Sequence, residues 1–169
     1  MKLSPKAPAS RVLALGIKSE VEAAHFYAAL RRKVKNQLLQ KKLDFLVLEE
    51  KQHRKILERL FRERFGRRKI VLPSSSFMSG LAALRPDRLT VKGLFDEALK
   101  SEKLSEDFYG RAAAAAGDPA ARHMLVYLSR VERSHYFMIK SEIDLLARFP
   151  DYYEVEEFHV GQDMIHVGP

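Results

Sequence analysis

Apolar residues recur at three- and four-residue spacing along four stretches of the chain, the pattern of helices that bury one face. In the first stretch Leu13, Ile17, Ala24, Leu30 and Val34 form the stripe. It predicts a helix over about 11–34, with Ser10 as its N-cap. In the second, Leu39, Leu43, Leu46, Leu57 and Leu60 predict a helix over about 37–65, started by Asn36 and ended by Gly66. Leu94, Ala98 and Ala112 mark a third over about 91–116, with Thr90 as N-cap. Leu125, Leu128, Ile139 and Ile143 mark a fourth over about 119–148. Between these two, Gly117 is expected to end one helix, Asp118 to cap the next, and Pro119 to take its first position. The fourth helix should stop at Phe149-Pro150.

Polar residues interrupt each stripe, and they repeat. Glu20 and Tyr27 lie within the first, Glu50 and His53 within the second, Glu102 and Tyr109 within the third, Glu132 and His135 within the fourth. One offset of 82 residues relates Lys18, Ser19 and Glu20 to Lys100, Ser101 and Glu102, and Phe26 and Tyr27 to Phe108 and Tyr109. It also relates Leu46 to Leu128, and Glu50 and His53 to Glu132 and His135. Two copies of one helical hairpin explain this. The connections inside each hairpin are short, so its helices should pack antiparallel. The connection over 67–89 is long and holds Pro73, Ser74, Ser75, Ser76 and Gly80. Such length suits a crossover running back along a bundle, with a short helix expected over 77–84. The expected architecture is all-α: a single domain over 1–169, with two repeated antiparallel hairpins joined by a long crossover and followed by a tail over 151–169.

The repeated polar residues fall at matching heights. Glu20 precedes Val34 by 14 residues and Glu50 follows Asn36 by 14; Glu102 and Glu132 stand in the same relation to Ala116 and Asp118. At ~1.5 Å per residue all four sit roughly 21 Å from their turns. Four carboxylates and two imidazoles should therefore meet inside the bundle. Glutamates gathered in an apolar core repel one another and lose hydration. Two divalent cations would balance them, and the i, i+3 spacing of Glu-x-x-His turns both side chains toward one point. Glu-x-x-His occurs four times, as Glu22/His25, Glu50/His53, Glu132/His135 and Glu156/His159. At ~100° per residue, Glu22 and His25 lie about 160° and 140° around the helix from Glu20, so both should face solvent. Glu156/His159 lies in the tail. The metal ligands expected are thus Glu20, Glu50, His53, Glu102, Glu132 and His135. Tyr27 and Tyr109, two turns beyond their glutamates, are placed to hydrogen-bond a ligand carboxylate of the opposite hairpin.

Composition narrows the chemistry. The chain has no cysteine, which excludes disulfides, zinc ribbons and Cys-ligated iron–sulfur centres. Carboxylate and imidazole suit iron, manganese or zinc. The net charge of +8 is uneven: residues 1–72 carry 19 basic and 7 acidic side chains. The basic clusters at 31–35 and 59–69 fall at opposite ends of the first hairpin, so they form no single patch and nucleic-acid binding is not expected. The tail has five acidic residues and no Lys or Arg, and could lie on the basic half or on a partner subunit. Its His159 and His166 are open as further metal contacts, a proton path or simple anchors. Without a secretory stretch or a run of ~18 apolar residues, a cytoplasmic location away from membranes is expected.

The stretches SEVEAAHFY at 19–27, LEEKQH at 48–53, SEKLSEDFY at 101–109 and VERSH at 131–135 resemble the rubrerythrin branch of the ferritin-like superfamily. The resemblance covers residues 11–148 and extends to the tail ending DMIHVGP. It implies a ferritin-like fold, with the six residues above as ligands of two iron ions and Tyr27 and Tyr109 beside them. It also implies an enzyme that reduces hydrogen peroxide or dioxygen at a carboxylate-bridged centre. Two departures stand out. Rubrerythrin proper has a further carboxylate three residues after the third-helix glutamate, where this chain has Ser105. It also has a Cys₄ rubredoxin module, so electrons would here come from a separate donor, rubredoxin-like or a flavin reductase. Iron, manganese and a mixed pair remain open, as do a ferroxidase or storage role and a di-iron oxygenase acting on an organic substrate. A homodimer is expected.

Overall fold

A computed structural model describes residues 8–78, 80, 81, 84 and 89–153. Four helices dominate: α1 (Ala9–Arg31), α2 (Gln37–Phe65), α3 (Val91–Ala115) and α4 (Pro119–Arg148). A short 3-10 turn, Pro150–Tyr153, follows α4. No helix among the described residues is long and apolar enough to cross a membrane. The remaining tail, with His159 and His166, lies outside the described residues.

Local chemistry fixes most helix ends. Asn36 accepts the Leu39 amide at 2.9 Å, Thr90 that of Gly93 at 3.1 Å and Asp118 that of Ala121 at 2.8 Å. Gly66 ends α2 at φ +60°, a conformation that a Cβ opposes. Two expectations need correction. Helix α1 starts at Ala9, because the Pro8 carbonyl accepts the Arg11 and Val12 amides. Ser10 therefore sits inside the first turn rather than capping it, and no side chain caps this end. The helix also closes at Arg31, where the Lys33 and Val34 amides tighten onto Leu30 and Arg31. At the end of α3 the chain turns extended at Ala116, before Gly117, and the Arg122 guanidinium donates to the Ala116 carbonyl at 2.9 Å.

α1 packs chiefly on α2, and α3 on α4, so each hairpin is a unit. Two apolar clusters join the hairpins. One gathers Leu30, Leu39, Leu43, Leu94, Phe95 and Ile139; the other gathers Ile17, Leu57, Phe61, Phe108, Ala112 and Leu128. The N-terminal halves of α2 and α3 thus share one end of the bundle, and their C-terminal halves share the other. These two helices run parallel, which is why a long crossover must link them.

The crossover packs against the bundle as it returns. Phe77 stacks on Phe108 with centroids 4.2 Å apart, and Met78 joins the first cluster. The helix expected over 77–84 falls partly outside the described residues; within it the Leu81 amide bonds the Met78 carbonyl at 2.8 Å. This strap overturns the solvent-facing expectation for Glu22. Ser76 donates its hydroxyl to Glu22 and Lys18 pairs with it at 3.3 Å, leaving Glu22 buried; His25 is exposed as expected. A helical wheel places Glu22 away from the core but is blind to a strap laid over that face.

Candidate metal centre

Between the two apolar clusters lies a polar layer. Glu20 comes from α1, Glu50 and His53 from α2, Glu102 from α3, and Glu132 and His135 from α4; each is at most 2% exposed. Their donor atoms form two groups, each within 4.8 Å: Glu20, Glu50, His53 and Glu132, and Glu50, Glu102, Glu132 and His135. Glu50 and Glu132 belong to both. The 82-residue offset converts one group into the other, so the sequence repeat becomes a two-fold relation in space. His53 Nδ1 lies 3.0 Å from Glu132, 3.4 Å from Glu20 and 3.5 Å from Glu50. His135 Nδ1 lies 3.5 Å from Glu50 and 3.6 Å from Glu102. The two rings are stacked 5.5 Å apart.

The tyrosines cross between hairpins. Tyr27 donates its hydroxyl to Glu102 Oε1, and Tyr109 donates to Glu20 Oε1. Burial, then the neighbouring Glu102 or Glu20, pushes each hydroxyl well above its ordinary pKa, so both stay protonated donors. Gly16 makes room for one of them: a Cβ there would sit 3.1 Å from Leu57 Cδ1 and 3.3 Å from the Tyr109 hydroxyl. The sequence held a signal for this. Gly16 and its repeat partner Ala98 are small residues four before each repeated glutamate. Replacing Tyr27 with Phe leaves Glu102 Oε1 buried without its donor. Urea unfolding of the metal-free protein should show a loss of about 1–3 kcal/mol; an unchanged midpoint would mean that the hydroxyl is not the partner that matters.

The layer is unsatisfied on its own. Glu20 Oε2, Glu50 Oε1, Glu102 Oε2, Glu132 Oε1 and all four ring nitrogens of His53 and His135 are buried without a hydrogen-bond partner. Such atoms cost free energy unless something binds them. The acid–base balance reflects the same crowding. Burial and then Glu50 push the Glu20 carboxyl up to about 8. Burial with Glu50 and Glu102 holds Glu132 well above the carboxylate range. For Glu50 burial works the same way, but His135 and His53 outweigh it and hold its carboxyl below that range. Burial pulls His135 down, yet Glu102 and Glu50 raise it to about 9, and His53 is raised by Glu132, Glu20 and Glu50. Without metal, protons shared among carboxylates and imidazoles supply the balancing charge. Four carboxylates and two imidazoles fit two divalent ions of the iron, manganese or zinc type.

The carboxylate implied three residues after Glu102 is absent. Ser105 there is buried, with its hydroxyl 3.9 Å from Met78 Sδ. Glu106 turns to the surface, where it pairs with Lys103 at 3.0 Å and Arg133 at 3.6 Å.

Comparison with known proteins agrees with this architecture. A solved structure described as a hypothetical protein from Pyrococcus furiosus superimposes with a TM-score of 0.74 at 26% identity, covering 83% of this chain and 91% of that one. No curated protein sequence matches significantly. The family model described as Rubrerythrin matches residues 11–143, which span all four donor-bearing helices. This ferritin-like four-helix bundle therefore belongs to the rubrerythrin family.

Proposed function

We propose that the chain is an oxidoreductase reducing hydrogen peroxide or dioxygen at two iron ions held by Glu20, Glu50, His53, Glu102, Glu132 and His135, with electrons from a separate protein donor. The observation that carries this reading is the membership of Glu50 and Glu132 in both donor groups. Shared carboxylates suit two ions acting together on one two-atom oxidant, not two independent structural ions. When bound, a ferrous pair would supply two electrons, which cleave the O–O bond of peroxide to give water or take dioxygen as far as peroxide.

The protein's own part is positioning and exclusion. Glu50 and Glu132 set the spacing between the two positions, and Glu20 and Glu102 close the ends. Tyr109 and Tyr27 steady those end carboxylates by hydrogen bonds from the opposite hairpin. The apolar clusters above and below keep bulk water from the layer. With Ser105 in place of a further carboxylate, α3 offers no spare ligand there, so these six residues are the whole set this reading assigns. A manganese or mixed pair would satisfy the same donors.

Anaerobic ferrous titration followed by stopped-flow mixing tests the reading. Two ferrous ions per chain should bind, and oxidation should be faster with peroxide than with dioxygen. An added reductase and donor should then sustain peroxide consumption. Equal or negligible rates with the two oxidants would remove the peroxidase reading.

A further inference from the structure

We infer that Glu49 positions both histidines by accepting the Nε2–H of each ring, an inference that rests on the metal-centre reading above. Both rings turn Nδ1 toward the inner carboxylates, at 3.0 Å from Glu132 for His53 and 3.5 Å from Glu50 for His135. A neutral imidazole that gives one nitrogen to a metal carries its proton on the other, and that N–H requires an acceptor. In both rings Nε2 is buried and has no hydrogen-bond partner.

A third donor group meets this need. Glu49, His53 and His135 bring one donor atom each within 4.8 Å of one another. None of the four inner carboxylates belongs to this group. Glu49 makes no hydrogen bond to either Nε2, so its side chain must close a gap that lies within the group's 4.8 Å. Glu49 lies one helical turn before His53, on the same side of α2. It is half-buried, unlike the six inner residues. The rings are nearly parallel, with an interplanar angle of 19°, so one carboxylate with two oxygens can serve both.

The repeat adds an independent point. The residue 82 positions after Glu49 is Val131, so α4 supplies no matching carboxylate. Glu49 would then do for both halves what a symmetric pair would otherwise do. An outer carboxylate fixes the tautomer and strengthens the inner nitrogen as a ligand.

Zinc, which is diamagnetic, provides the probe. In zinc-loaded wild-type protein, proton–nitrogen spectra of labelled histidine should show both rings protonated at Nε2. Glu49→Leu should weaken zinc binding about 10–100-fold in chelator competition and shift those Nε2–H resonances. Glu49→Gln keeps an acceptor oxygen and should recover part of the affinity. A purely structural role would lower the melting temperature of the metal-free protein and leave the ring resonances in place. Zinc affinity within twofold of wild type in Glu49→Leu, or unmoved Nε2–H signals, would overturn the inference. A wild-type chain that binds no zinc would instead remove the metal centre, and the role of Glu49 with it.

Discussion

Glu50→Ala should empty both proposed metal positions, whereas Glu20→Ala should empty one. The difference follows from membership: Glu50 belongs to both donor groups and Glu20 to a single group. Removing a shared carboxylate would take a donor from each group and also the charge that would let two cations sit side by side. Glu132→Ala should behave like Glu50→Ala, since the two-fold relation exchanges them. Ferrous or zinc titration reads the outcome as two ions per chain in wild type, near zero in Glu50→Ala and about one in Glu20→Ala. Melting temperature gives a second reading. At a thousandfold excess over Kd each ion stabilises the fold by ~4 kcal/mol. For a chain of this size each kcal/mol is worth ~2–4 °C. Loading should thus raise the wild-type midpoint by ~20 °C and barely move that of Glu50→Ala. Retention of two ions by Glu50→Ala would contradict the shared-ligand arrangement.

The second large effect is an inverted pH dependence of the metal-free protein. Glu20 has a folded pKa of about 8, above its unfolded value of ~4.3. Its contribution is fully present below ~4.3 and is lost as pH rises through 8. His135 has a folded value of about 9, above ~6.5 unfolded; its contribution is present below ~6.5 and lost through 9. Between pH ~6.5 and ~8 both losses run together. Glu50, displaced downward, is ionised in both states there and adds no slope. Each extra proton on the folded chain is worth about 1.4 kcal/mol per pH unit. Melting of metal-free protein should therefore weaken steadily across that window. Metal must displace the same protons, so its apparent affinity should rise about tenfold per pH unit for each one released. A metal-free midpoint that is flat or rises with pH over this range would refute the proton-loaded cluster.

What could be read from the chain alone followed from how local each cause was. The bounds of α2 and the start of α4 were legible because Asn36, Gly66, Asp118 and Pro119 act within a turn of themselves. The start of α1 was not, because Pro8 and Ser10 compete for the same end and the proline carbonyl wins. The level at which the six polar residues meet could be counted from the turns. Their grouping could not: height along an axis says nothing of which carboxylate lies between two others, so the shared membership of Glu50 and Glu132 needed coordinates. Glu22 was misplaced because its burial depends on Ser76, some fifty residues away in sequence. Glu49 breaks the repeat that marks its neighbours, and Gly16 is marked only by its place four residues before Glu20, where the repeat keeps a small residue at Ala98.

The exchange of the two donor groups under the repeat bears on ancestry. Either hairpin alone carries one end glutamate, one shared glutamate, one histidine and one tyrosine. A chain half as long, paired with its own copy, would already own one complete set of these donors. A joined pair leaves each half free to differ from the other, as it does at Glu49 against Val131, at Gly16 against Ala98, and in the strap that only one join requires.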